Sequence, residues 1–317
     1  MSRRSLHLGR RAMTRLRCGV FLCLGAVILL LPGACARGPE VREGTAAVNF
    51  RELLHFAQVY RSVRYDPSPD IDAAWGSFYQ NLELVDLHKT ANRYLIGTSD
   101  TLRRQEIFIR GTANVKNAFY DAKYRKHWNT RLGIHLHVGF EEMALAVYED
   151  LLPRLHRDYD LYIFGHSLGA AEATIVGMLL DQDGFRVRRV IASGSPKLTD
   201  APGAAKYAHL PVLRIVSSGD PIPRLPPPEL TPLLRPYVHL GPEVLLLDGP
   251  FYACLEQRYR DGREEVPTWE HVVREKLAER LKGHLIAHYI ERILPKLVED
   301  IQVPYADRAA YLTVPTE

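Results

Sequence analysis

The chain has 317 residues, 46% of them hydrophobic and 25% charged, with a formal net charge of +4. That balance is ordinary for a globular protein with enough apolar material for a sizeable core, so no disulfide or metal staple is required to hold it together. Residues 1–36 contain six arginines and no acid, which leaves 35 basic against 37 acidic side chains, a net −2, in the remainder; the positive balance therefore does not argue for a nucleic-acid partner.

In chain order, Arg3, Arg4, Arg10, Arg11, Arg15 and Arg17 precede an apolar run from Val20 to Leu31. A basic start, about a dozen apolar residues and a small-residue exit predict an export leader. Ala34-Cys35-Ala36 fits cleavage after Ala36. Leu31-Pro32-Gly33-Ala34-Cys35 also resembles a bacterial lipoprotein signal, in which Cys35 becomes the acylated first residue, although Pro32 stands where an aliphatic residue is usual. The uncharged stretch from Cys18 to Ala36 is also about the length of a bilayer span. All three readings send the body of the chain outward. The expectation is an exported protein of a bacterial cell envelope, lipid-anchored through Cys35 and close to a membrane surface, or else secreted. Cys254 is the one cysteine beyond the leader, and is expected to be a small buried hydrophobe.

Residues 37–44 read as a linker. Asn49 and Glu52 have the spacing of a helix cap, followed by Leu53, Leu54, Ala57 and Val59, with Asp66-Pro-Ser-Pro69 ending the helix. A short second helix is predicted over Ile71 to Gln80. Tyr94–Thr98 and Glu106–Arg110 read as strands, Gly139–Leu155 as a helix, Leu161–Phe164 as a buried strand and Leu168–Leu180 as a helix. Val187–Ala192, Val212–Val216 and Val244–Leu247 read as further strands, the last closing the sheet. Trp269–Lys282 and Leu285–Val298 read as closing helices, the second broken near Pro295. Strands alternating with helices predict an α/β fold whose mostly parallel sheet is covered on both faces.

Gly165-His-Ser-Leu-Gly169 is a G-x-S-x-G motif between a predicted strand and a predicted helix. A serine at so sharp a turn is pushed out above the sheet edge, and the flanking glycines let strand and helix approach. This makes Ser167 a candidate nucleophile. The N–H of Leu168, at the start of the helix, is a candidate donor to an oxyanion.

Six segments together resemble the class 3 lipases, the fungal triacylglycerol-lipase-like branch of the α/β hydrolases. They are Ile107-Phe-Ile-Arg-Gly-Thr112, His137-Val-Gly-Phe140, Phe164 to Ala170, Ser193-Gly-Ser-Pro196, Val216 to Pro226 and Tyr237-Val-His-Leu-Gly241. The resemblance spans about residues 90–290. It implies an α/β-hydrolase domain over 45–300, followed by a tail over 301–317. It also implies a carboxylic ester hydrolase of the lipase or esterase kind, working through an acyl-enzyme on a lipid or other small acyl ester. A phospholipase or acyltransferase on the same residues, or an idle relative binding lipid or a partner at the envelope, is the alternative.

Asp220 follows the strand Val212–Val216 and, with the chain order Ser, Asp, His, is the candidate triad acid. Asp200 is its rival and is expected to cap a turn. Thr112 stands where the family keeps its second oxyanion donor, and residues 113–124 where it carries a lid. Four histidines follow Asp220 in candidate positions. His239 reads as a strand residue and His271 as a first-turn helix residue. His284 falls on the loop between the closing helices and opens a segment, to Tyr289, that resembles the family's catalytic one. His288, one turn on, is its rival. Gly283 reads as the cap that frees His284. His135 and His137 alternate with no carboxylate nearby in sequence, and neither H-E-x-x-H nor a P-loop occurs, so no metal, nucleotide or other cofactor is expected.

Overall fold

The computed structural model describes residues 48–64, 71–110, 125–226, 236–256 and 281–312. By internal contacts the chain divides into residues 1–38 and 39–317. The first unit, with Cys35, and the expected linker lie outside the described residues. So do Thr112, the 113–124 segment and all but the end of the helix expected over Trp269–Lys282.

The described elements are α1 (Phe50–Arg64), α2 (Ile71–Trp75), β1 (Asn81–Leu87), β2 (Asn92–Ser99), β3 (Arg104–Ile109), β4 (Lys126–Asn129), β5 (Ile134–His137), α3 (Val138–Leu151), β6 (Asp160–His166), α4 (Leu168–Gln182), β7 (Arg186–Ser193), α5 (Ala201–Lys206), β8 (Val212–Ser217), β9 (Glu243–Leu246), β10 (Phe251–Leu255), α6 (Ile286–Ile293) and β11 (Ile301–Gln302). Nine strands form one sheet in the order β1-β2-β3-β6-β7-β8-β9-β10-β11. Its centre, β3-β6-β7-β8-β9, is parallel. The β1-β2-β3 edge and the β9-β10 pair are antiparallel. β4 and β5 make a separate hairpin.

The centre is covered on both faces because its strands are apolar on both. Ile107, Ile109, Ile163 and Val190 pack with α3 and α4, while Phe108, Phe164, Ile191 and Ile215 pack with α1 and α6. Alternate side chains of a strand point to opposite faces, so near-continuous apolar runs of this kind suit a two-sided sheet. α1 begins as its sequence predicts, with Glu52 N–H donating to Asn49 Oδ1 at 3.1 Å. It buries Phe50, Leu53, Phe56, Val59, Tyr60 and Val63, and each such side chain contributes about 1.5–3 kcal/mol.

Several expected boundaries change. The second helix is α2 alone, five residues long, and turns occupy residues 76–78. The sheet does not close with β9, because β10 returns antiparallel beside it and β11 adds to β10. Residues 301–312 are therefore not a tail: Val303 and Tyr305 are buried against Leu245, Leu247, Ala253 and Leu255. β1 is an edge strand with half-buried residues, so it shows little of the alternation that marks a strand in sequence. α6 stops where expected, passing into a 3₁₀ turn at Leu294 with Pro295 behind it. Cys254 is buried, and burial pushes its thiol up to about 11.

α4 is buried on all sides, and Glu172 lies within it, fully enclosed. Asn92 Nδ2 donates to its Oε2 at 2.6 Å, and burial raises its carboxyl to about 8. The folded carboxyl thus holds its proton more tightly than the unfolded one. Its contribution to stability is complete below about pH 4.5 and falls away as pH rises toward 8. Glu172→Gln is expected to flatten the dependence of the thermal midpoint on pH over this window. An unchanged dependence in that variant would show that Glu172 is not its source.

Candidate active site

The site is built on the turn between β6 and α4. Ser167 has φ 61° and ψ −130°, a region that costs a non-glycine residue about 1–3 kcal/mol and persists only where the surroundings impose it. Here β6 and α4 impose it. A Cβ on Gly165 would run into the carbonyl of Gly169 and stand 2.7 Å from the Ala170 nitrogen, so only glycine lets the strand and helix meet so closely. Ser167 N–H donates to the Ser193 carbonyl at 2.9 Å, tying the turn to the end of β7. Leu168 is the first residue of α4, where backbone N–H groups lack partners within the helix.

Asp220 sits just past β8. Its Oδ1 accepts from Ile222 N–H at 2.9 Å. Its Oδ2 accepts from His284 Nδ1–H at 2.8 Å and from the Tyr289 hydroxyl at 2.5 Å. His284 Nε2 in turn accepts from Ser167 Oγ–H at 2.7 Å. All three residues of this chain are buried. Burial, and then the Asp220 charge, holds the Tyr289 hydroxyl well above the ordinary tyrosine range, so it stays a donor. Gly194, at φ +56°, leaves the space: a Cβ there would lie 3.0 Å from Asp220 Oδ2 and the Tyr289 oxygen and 3.1 Å from His284 Cε1.

Of the five residues singled out in the sequence, the structure brings Ser167, Asp220 and His284 into one hydrogen-bonded chain and sets Leu168 at the adjoining helix start. Thr112 lies outside the described residues. β3 ends level with the elbow, Ile109 pairing with Gly165.

The rivals are elsewhere. Asp200 caps α5, its Oδ1 accepting from Gly203 N–H at 3.1 Å. His288 Nε2 accepts from Arg292 Nε–H at 2.8 Å. His239 is not a strand residue; it lies in the connection before β9, where its Nε2–H donates to the Pro223 carbonyl at 2.7 Å. His135 does have a carboxylate in reach, Asp200 at 3.3 Å, brought there by folding. Among the described residues no group of three or more His, Cys, Asp or Glu is placed to hold a metal ion, and no helix is long and apolar enough to cross a membrane.

Two residues at the site carry no role in the sequence reading. Tyr289 was legible as the end of the segment opened by His284. His166, read only as a variable position of the elbow, had no local signal, because its partners come from β7 and from the loop before α6.

The parallel centre, the flanking helices and a serine on a strained strand-to-helix turn define an α/β-hydrolase fold. Solved structures agree. The chain superposes on a lipase from Rhizopus microsporus var. chinensis with a TM-score of 0.55 at 22% identity, covering 70% of this chain and 84% of that one. It superposes on Rhizomucor miehei triacylglyceride lipase with a TM-score of 0.56 at 18% identity, covering 76% and 96%. Residues 106–230 match the family model of class 3 lipases. The chain is similar to the secreted mono- and diacylglycerol lipase A of Penicillium cyclopium, 29% identical over 210 residues, 62% of this chain and 66% of the relative. It is also similar to secreted mono- and diacylglycerol lipase 1 of Fusarium solani, 28% identical over 193 residues, 55% and 54%. The matches thus span between half and two thirds of these relatives. Over residues 106–230 the chain is thus similar to the class 3 lipases.

Proposed function

We propose that this protein is an exported serine hydrolase that cleaves carboxylic esters of lipids through an acyl-enzyme. The observation that carries the reading is the chain from Ser167 Oγ through His284 to Asp220, standing on the strained elbow. In the proposed reaction Ser167 Oγ attacks the ester carbonyl as its proton passes to His284 Nε2. Asp220 holds the imidazole in the tautomer that exposes Nε2 and stabilises the imidazolium. The tetrahedral oxyanion is received by the Leu168 N–H, with Thr112 as the second donor. The protonated His284 then gives its proton to the departing alcohol, and water, activated by the same nitrogen, releases the acid and restores Ser167.

The substrate class is supported by the similarity to class 3 lipases and by relatives named as mono- and diacylglycerol lipases. Turnover is expected on mono- and diacylglycerols, and on soluble esters of the same acids. Purified protein offered these beside a phospholipid tests it: cleavage of the phospholipid alone would replace the proposal with a phospholipase.

Export is supported by the basic and apolar start and by relatives described as secreted. The finer reading is a lipid anchor on Cys35 that holds the enzyme at a membrane surface, since the several acyl chains of a lipoprotein bind far more firmly than one. Mass spectrometry of the mature N-terminus is expected to find a diacylated or triacylated Cys35. An unmodified terminus at Arg37 would mean plain secretion.

A further inference from the structure

Behind the chain of Ser167, His284 and Asp220 lies a second histidine that the reaction does not use. His166, the last residue of β6, is buried. Its Nε2 is 2.7 Å from the backbone carbonyl of His284, and its Nδ1 is 3.1 Å from Ser193 Oγ. A carbonyl only accepts, so Nε2 carries the hydrogen, and Nδ1 is left to accept from the serine hydroxyl. The ring lies along the His284 ring with centroids 4.8 Å apart and planes 25° from parallel. Tyr60 of α1 and Tyr289 of α6 meet it edge-on, at 5.7 and 5.2 Å. Both nitrogens are therefore engaged, and three aromatic rings pack about the imidazole.

We infer that His166 is a positioning residue: as a neutral Nε2–H tautomer it clamps the main chain of His284, and so sets where the His284 ring stands between Ser167 and Asp220. The inference rests on the hydrolase reading above. The mechanical need is plain. His284 lies on a loop, and its ring bond to Ser167 must be broken and remade during turnover. A bond from β6 to its carbonyl fixes the loop by a contact that the reaction leaves alone, and it comes from the residue adjoining the nucleophile. The two ends of the proton transfer are thus referenced to a single strand. Burial, followed by the neighbouring His284, holds His166 well below the ordinary histidine range, in keeping with a ring that stays neutral while His284 gains and loses its proton.

Three variants and one spectrum test this. Glutamine places an amide N–H near the position of Nε2, asparagine reaches only the position of Nδ1, and phenylalanine keeps the ring without either nitrogen. His166→Phe is expected to lower kcat about 10- to 100-fold with KM within about twofold, the scale expected from misplacing a catalytic group by a fraction of an ångström. His166→Gln is expected to recover most of that loss and His166→Asn little of it. In the 15N spectrum of histidine-labelled wild type, His166 is expected to show a protonated Nε2 and a bare Nδ1 from pH 5 to 9. A Phe variant with kcat within twofold of wild type, equal turnover in the Gln and Asn variants, or the opposite tautomer would overturn the inference. If the Phe variant does not fold, the Gln–Asn comparison and the spectrum decide. A wild type that neither cleaves esters nor takes a fluorophosphonate on Ser167 would instead remove the hydrolase reading, and the spectrum would still report on the clamp.

Discussion

Ser167→Ala is expected to abolish both fluorophosphonate labelling and ester hydrolysis, with kcat falling by roughly 10⁵–10⁶-fold, while the fold survives. The fold survives because the Ser167 side chain makes its contact outward, to His284, whereas its backbone is held by β6, α4 and the Ser193 carbonyl. Alanine inherits the same φ of 61° and the same strain. Ser167→Gly separates the two effects: glycine accepts that backbone without a Cβ, so the variant is expected to be equally inactive yet to melt a few degrees higher than Ser167→Ala. Turnover by Ser167→Ala at even a tenth of the wild-type rate would put the nucleophile elsewhere.

His284→Ala is expected to lower kcat on a soluble ester by roughly 10⁴–10⁶-fold, and His288→Ala to leave it within about threefold. The two histidines are one helical turn apart, but their partners differ. His284 joins Ser167 Oγ and Asp220 Oδ2 at 2.7 and 2.8 Å. His288 is half-buried on α6 and bonded to Arg292, with burial and then the Arg292 charge holding it below the ordinary histidine range. Asp220→Asn belongs to the same series. Both Tyr289 and His284 donate to Asp220 Oδ2, so an amide nitrogen there meets two donors. An amide turned the other way instead sets its nitrogen against Ile222 N–H. The first orientation presses the imidazole toward the wrong tautomer, the second removes the negative charge that stabilises the imidazolium, and a loss of about 10⁴-fold is expected. Equal activity in the His284 and His288 alanine variants would mean that neither is the base.

What could be read from the sequence was what local chemistry dictates. The strand, turn and helix around Ser167 follow from apolar runs of the right length and from glycines that alone permit the turn, and each acts within a few residues. α1 declares itself by its Asn49 cap and the spacing of its apolar face, and α6 by its break before Pro295. The order of the motifs made Asp220 and His284 candidates, and the parallel centre of the sheet follows from apolar strands alternating with helices.

The tertiary structure decided what depends on residues far apart in the chain. β1, β10 and β11 lie at or near the sheet edges, stabilised by the neighbour they pair with rather than by their own pattern. Residues 301–312 read as a tail because their apolar side chains are few, yet those few fill the space behind β9 and β10. Gly194 looked like part of a motif without a task until Asp220, Tyr289 and His284 were seen to converge on the space a Cβ would occupy. The meeting of His284 with Ser167 and Asp220 and the pairing of His166 with the His284 carbonyl share one cause. Hydrogen bonds depend on ångström-scale positions, and only the folded chain brings residue 166 beside residue 284.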